Sequence, residues 1–96
     1  MSSYRLTPAA QRDLDDIWDY TAERWGRRQA VVYVSLLRSA IERCAAGHYP
    51  SRSIEHIKAG YHRANAGSHA IIFRWVADDV EMVRVLHGRR DFNRHL

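Results

Sequence analysis

The carboxyl-terminal stretch VRVLHGRRDFNRHL (83–96) places a histidine at the end of an alternating apolar run, directly before a cluster of arginines. A metal-free ribonuclease needs a base for the 2′-hydroxyl, an acid for the leaving oxygen and cations for the charged transition state. These side chains could supply parts of that chemistry, or they could form a positive sheet edge that binds an acidic partner. The residue types favour binding and leave catalysis open. The candidate residues are the arginines and the histidine of the predicted strands and tail: Arg63, Arg74, Arg84, His87, Arg89, Arg90 and Arg94.

Other kinds of site have little support in the sequence. The six histidines show no spacing that suits a metal ion, and neither a phosphate-binding loop nor a nucleophile elbow is present. The single cysteine, Cys44, cannot form an intramolecular disulfide, and it shares an apolar helical stripe with Leu37 and Ile41. That stripe predicts a buried, inert thiol. We therefore expect no metal and no cofactor.

The composition indicates one globular domain over residues 1–96 with an acidic partner. Its net charge of +4 comes from fourteen arginines and one lysine, Lys58. Arginine makes bidentate contacts to carboxylates and phosphates, so both an acidic protein and nucleic acid fit. The sequence shows neither the apolar segment of a signal peptide nor a run of about 20 apolar residues that a membrane span requires. We expect a soluble, cytoplasmic protein with no membrane partner.

Two amphipathic helices are predicted to position the candidate residues. Thr7 and Pro8 begin the first helix, which carries apolar residues at helical spacing as far as Gly26. The second helix extends its apolar stripe from Ala30 to Cys44, before Gly47. Because only a few residues join the two helices, they must lie antiparallel as a hairpin.

A short strand at 3–7 precedes the helices, and three more strands follow a loop at 48–60. These strands span 61–67, 68–77 and 80–87, and their short connections indicate antiparallel neighbours. The predicted order is β-α-α-β-β-β, an α+β fold with the helical hairpin packed on an antiparallel sheet.

The pairing of the last two strands determines which side chains lie on each face. If Asp78 and Asp79 form the turn, Phe73 pairs with Arg84, and Ile71 pairs with Leu86. Ile72, Arg74, Val83 and Val85 then share the opposite face. The hairpin can cover only one face, so the other is a candidate docking surface.

Three stretches of this chain closely resemble ParE toxins, a branch of the RelE/ParE superfamily encoded in bacterial type II toxin–antitoxin modules. They are YRLTPAAQRDLDDIWDYTAERWG (4–26), AGYHRANAGSHAIIFRW (59–75) and VEMVRVLHGRRD (80–91). The resemblance covers almost the entire chain from Tyr4 to Leu96. Its most specific parts are DIWDYTAERWG (16–26) and VRVLHGRRD (83–91).

This resemblance implies a non-enzymatic toxin that poisons DNA gyrase, stalling it on cleaved DNA. It also implies a ParD-type antitoxin whose carboxyl-terminal segment wraps the toxin, so that DNA is contacted only through the antitoxin. We expect the gyrase-directed surface to include Arg84, His87, Arg89 and Arg90. Because so thin a domain cannot bury all its aromatic and apolar residues, we expect the antitoxin to bind along Trp18, Trp25, Tyr33, Val34, Ile72 and Arg74.

The RelE branch supplies an alternative function, ribosome-dependent cleavage of mRNA. Tails of that type, such as R-R-D-x-Y, carry a tyrosine where this chain has Asn93 in RRDFN (89–93). Without the tyrosine, His87 alone would have to replace a stacking or acid–base group. The departure therefore favours gyrase inhibition. A second alternative is a non-toxic module that keeps the fold and binds only an antitoxin-like partner.

Overall fold

The computed structural model describes residues 3–89 and 92–96 of the chain. The expected order of elements is present, with two additions: a two-residue strand after the second helix and a short helix at the carboxyl terminus. The elements are β1 (Tyr4–Leu6), α1 (Pro8–Trp25), α2 (Arg27–Ala45), β2 (Arg52–Ser53), β3 (Tyr61–Ala66), β4 (His69–Val76), β5 (Asp79–His87) and α3 (Phe92–His95).

The two helices form the predicted hairpin, and its limits have local causes. Thr7 Oγ1 accepts a hydrogen bond from the Ala10 N–H at 3.0 Å, and Pro8 occupies the first turn. Gly26 ends α1 at φ +95°, a conformation that favours glycine, and α2 begins at the next residue. Within residues 3–89 and 92–96, none of the helices is apolar over a length that would span a membrane.

The sheet has five strands in the order β1-β5-β4-β3-β2. Strands β3, β4 and β5 pair antiparallel, as predicted, and the additional strand β2 pairs antiparallel with β3. Strand β1 instead pairs parallel with β5, with Tyr4 opposite Val80. A parallel pair needs a crossover, and the helical hairpin lies within that connection. The sheet is therefore mixed, while the α+β class and the packing of the hairpin agree with the prediction.

The predicted register of β4 and β5 was wrong. Ala77 and Asp78 connect the strands, with Ala77 at φ +57°, so Phe73 pairs with Met82. A bulge follows, because Met82 and Arg84 lie opposite the neighbouring residues Phe73 and Ile72. Val83 is the extra residue. An extra residue reverses the faces of every position beyond it.

The bulge explains which side chains face the helices. Ile71, Phe73, Val80, Met82 and Val85 pack with the apolar stripes of α1 and α2 in the main core. The opposite face forms a second cluster of Ile54, Tyr61, Ala70, Ile72, Leu86 and Phe92, with Ile57, Val83 and Leu96 at its margin. The face that was expected to be an open docking surface is thus covered by the chain's own loop and carboxyl-terminal segment.

Candidate functional site

An open cleft of about 940 Å³ lies between the second half of α1, the start of α2, and the end of the sheet where β4 begins and β5 ends. The lining combines exposed aromatic rings with polar side chains. Trp25 and Tyr20 are 67% and 61% exposed, so their rings are open to a ligand. The lining residues are Asp16, Ile17, Tyr20, Thr21, Trp25, Gln29, Tyr33, Ser68, His69, His87 and Arg89.

The fold brings together residues that are far apart in sequence. His69 begins β4 directly opposite His87, the last residue of β5, and their ring centroids lie 5.5 Å apart in an edge arrangement. Tyr33 reaches the same point from α2. A Cβ atom at Gly67 would lie 2.7 Å from Tyr33 Oη, so glycine permits this close approach.

Hydrogen bonds define the protonation of His69. The Ser68 N–H donates to Tyr33 Oη at 2.9 Å, and Tyr33 Oη lies 2.6 Å from His69 Nδ1. Because one acceptor site of the phenol oxygen is occupied, we assign the tyrosine proton to the short contact with His69. His69 then accepts at Nδ1 and carries its own proton at Nε2. Burial lowers the pKa of His69, His87 lowers it further, and Asp13 opposes the shift. The lowered pKa favours a neutral His69, and the assigned hydrogen bond then places its proton at Nε2.

His87 has an equivalent arrangement. Its Nδ1 accepts a hydrogen bond from the Arg89 backbone N–H at 3.2 Å. With Nδ1 as the acceptor, the Nε2–H of His87 is left as a donor. Since His87 and Arg89 are exposed, the cleft margin presents an imidazole donor and a guanidinium to solvent. Among residues 3–89 and 92–96, no cluster of histidine, cysteine and acidic side chains could hold a metal ion.

Arg84, the first of the predicted gyrase-contacting residues, is held within the protein. Its Nε and Nη2 donate to the two carboxylate oxygens of Asp13 at 2.7 and 2.9 Å. These hydrogen bonds raise the pKa of Arg84. Asp13 also accepts the Val85 N–H, so the pair joins α1 to β5. Of the other three, His87 and Arg89 line the cleft, whereas Arg90 lies outside the described residues.

The residues predicted to bind the antitoxin do not form one surface. Trp25 and Tyr33 line the cleft, whereas Trp18 and Val34 line a separate groove of about 320 Å³ between α1 and α2. Arg74 is exposed on β4 and pairs with Glu81 at 2.9 Å. Ile72 is 0% exposed. Its predicted place on an open face was wrong, because the second cluster covers that face.

The side chains that lie close to His87 in space were not predicted from the sequence. The tail was compared with RelE-type tails only at Asn93, where those carry a tyrosine, and the Asn93 side chain is outside the described part. The structure supplies Tyr33 and His69 from two other elements. A signal was available in the pattern of short antiparallel strands, because the start of one strand must lie near the end of the next.

Comparisons with known proteins agree with this fold. The family model described as "ParE toxin of type II toxin-antitoxin system, parDE" matches residues 4–92. Toxin ParE1 of Mycobacterium tuberculosis is 44% identical over 96 residues, covering 99% of this chain and 98% of the relative. Toxin ParE1 of Caulobacter vibrioides is 42% identical over 96 residues, covering 100% and 99% of the two chains.

Two solved structures share the architecture. A chain of the chromosomal ParDE toxin–antitoxin system from P. aeruginosa superposes with a TM-score of 0.79 at 21% identity, covering 91% of this chain and 96% of that one. The toxin–antitoxin complex RelBE2 from Mycobacterium tuberculosis gives a TM-score of 0.50 at 23% identity, covering 90% and 96%. At these identities the likeness concerns the fold. The family match over nearly the whole length shows that this chain belongs to the ParE toxins of type II toxin–antitoxin systems, within the RelE/ParE superfamily.

Proposed function

We propose that this toxin inhibits DNA gyrase by binding rather than by catalysis, and that a ParD-like antitoxin neutralises it. The family match over residues 4–92 is the observation that carries the proposal. The net charge of +4 suits an acidic antitoxin segment. The ParDE and RelBE2 structures, which share this fold, are toxin–antitoxin systems, which supports an antitoxin partner here.

We place the gyrase-directed contact at the margin of the cleft. Arg84 cannot supply it freely, because its guanidinium is engaged by Asp13. Arg89 is exposed, and its fixed planar donors suit a carboxylate on a protein target. The gyrase surface is therefore centred on His87 and Arg89, with Arg84 holding β5 in place.

Purified protein should inhibit gyrase supercoiling and accumulate cleaved DNA. Arg89→Ala removes the exposed cation and should weaken inhibition about 10-fold or more, since charge-assisted contacts contribute roughly 1.5–3 kcal/mol. The matched control is Arg52→Ala, because Arg52 is exposed on β2 at the other side of the sheet from β5. That variant should inhibit like the wild type. The measurement is the toxin concentration for half-maximal inhibition.

Other outcomes would contradict this function. Normal supercoiling with rapid loss of mRNA during expression would replace it with RelE-type cleavage. Unaffected growth and unaffected supercoiling, with a stable complex to an antitoxin-like partner, would favour the non-toxic module. Equal effects of Arg52→Ala and Arg89→Ala would refute the placement of the contact and leave the target itself unchanged.

A further inference from the structure

We propose that the cleft binds one nucleotide of a single-stranded nucleic acid, with the base on the aromatic rings of Tyr20 and Trp25 and the phosphate at His69, His87 and Arg89. The inference goes beyond gyrase inhibition and does not depend on it, because oligonucleotide binding is measured without gyrase. It also departs from the expectation that the toxin meets DNA only through its antitoxin.

The aromatic rings provide the first reason. Trp25 and Tyr20 are the two most exposed large hydrophobic side chains in the described part of the chain, and both line this cleft. The Arg24 guanidinium lies over the Tyr20 ring at 5.6 Å. Exposed rings beside cationic groups are how proteins hold unpaired bases, since every base has a flat face that can stack.

The polar margin provides the second reason. His69 and His87 each accept a hydrogen bond at Nδ1, so each has an Nε2–H left to donate. Arg89 adds a guanidinium beside them. Two imidazole donors and a guanidinium at one margin match the oxygens of a phosphodiester. Asp16, the acidic group of the described lining, can accept from the amino or imino groups of a base.

The composition of the cleft favours a nucleotide over an acidic peptide. Ile17 is the one aliphatic side chain among the eleven lining residues, whereas a peptide helix needs an aliphatic groove for its apolar anchors. Such a groove exists elsewhere, between α1 and α2, where Leu14, Val31 and Val34 lie with Trp18. The cleft and the groove thus suit different ligands. The cleft is the one that offers aromatic rings and hydrogen-bond donors for an anion.

The test uses the full chain with fluorescent oligothymidylate and oligouridylate of ten nucleotides, and binding is followed by anisotropy. Wild-type protein should bind both single strands more tightly than a duplex of the same length. Trp25→Ala should weaken binding about 5- to 150-fold, the effect of losing one stacked base. Arg89→Ala should weaken binding and reduce the slope of log K against log salt by about 0.7.

Trp75→Ala is the matched control, because Trp75 is also exposed (45%) but lies on β4 outside the cleft lining. It should bind like the wild type. Equal losses in the Trp25 and Trp75 variants, equal affinity for duplex and single strands, or binding of an acidic peptide without any oligonucleotide binding would each overturn the proposal. Unfolding curves of both variants confirm that they are folded.

If uridylate binds and thymidylate does not, the ligand is RNA, and product analysis then shows whether that strand is cut.

Discussion

Asp13 shows how a residue that looked unremarkable in the sequence can decide which arginines are available to a partner. Its carboxylate accepts three hydrogen bonds, two from Arg84 and one from the Val85 N–H. The side chains of Asp13 and Arg84 are 14% and 24% exposed, so the pair is partly desolvated. Helical spacing alone does not reveal that α1 packs against β5 at this position.

Replacing Asp13 should destabilise the fold more than replacing another acid on the same helix. Asp13→Ala leaves the Arg84 guanidinium and the Val85 N–H without their acceptor, and we expect a loss of about 1–3 kcal/mol in the free energy of unfolding. Asp19→Ala is the control, since Asp19 is exposed on α1. Urea unfolding measures both. Similar midpoints for the two variants would show that the bidentate contact contributes little.

At the scale of elements, the helices were predictable and the strand register was not. The limits of α1 depend on local properties of three residues. The Thr7 side chain accepts a backbone hydrogen bond, Pro8 has a fixed φ that suits the first turn, and Gly26 adopts a positive φ. The β4–β5 register depends on a turn at Ala77 and a bulge at Val83, and neither residue has a chemical preference for those positions. Alternating apolar residues fit several registers, so the pattern alone could not place the bulge.

The groove between the helices is the surface we assign to the antitoxin, and Val31 offers a clean test. Val31 lines this groove and is 52% exposed, whereas Val32 is 56% exposed and lies outside the groove lining. A charge in an apolar contact should weaken binding about 10-fold or more, so Val31→Glu should reduce antitoxin affinity while Val32→Glu should not. Calorimetry with a ParD-like antitoxin that binds the wild type measures both.

The affinities of the two valine variants distinguish between possible positions of the antitoxin on α2. Equal affinities for the two variants would move the antitoxin away from the groove, and a loss confined to Val32→Glu would move it to the adjacent side of α2, about 100° around the helix. Because both valines are exposed and lie on the same helix, neither substitution should unfold the protein. Gyrase inhibition by Val31→Glu should match the wild type, since that residue is not in the cleft.

In the whole molecule, both faces of the sheet carry apolar side chains, and other parts of the chain cover each face. The helices cover one face, and Phe92 and Leu96 return with residues 54–57 to cover the other. Arg63 lies over the Phe92 ring at 4.5 Å, and Lys58 Nζ donates to the Leu96 carbonyl at 2.7 Å. The tail was predicted to bind a partner because of its arginines, whereas in the structure the buried Phe92 packs it against the sheet.

Phe92→Ala should therefore destabilise the protein although it lies near the chain end. Phe92 is 6% exposed, and removing a buried phenyl ring costs about 3–5 kcal/mol in a well-packed site. Phe92→Leu is the control, because it retains much of the apolar volume and should cost about 1.5 kcal/mol or less. Thermal and urea unfolding compare the two. A negligible effect of the alanine variant would show that the second cluster is stable without the tail.

The parallel pairing of β1 with β5 affects the order in which the surfaces of the toxin can form during its synthesis. Tyr4 finds its partner Val80 only after the last strand has been synthesised, and the cleft takes side chains from both α1 and residues 87–89. The helical hairpin can form early, because its contacts are local and synthesis begins at the amino terminus. The groove between α1 and α2 can therefore form in the nascent chain before the cleft is complete. An antitoxin that binds this groove can capture the toxin during its synthesis, ahead of the surface that it must neutralise.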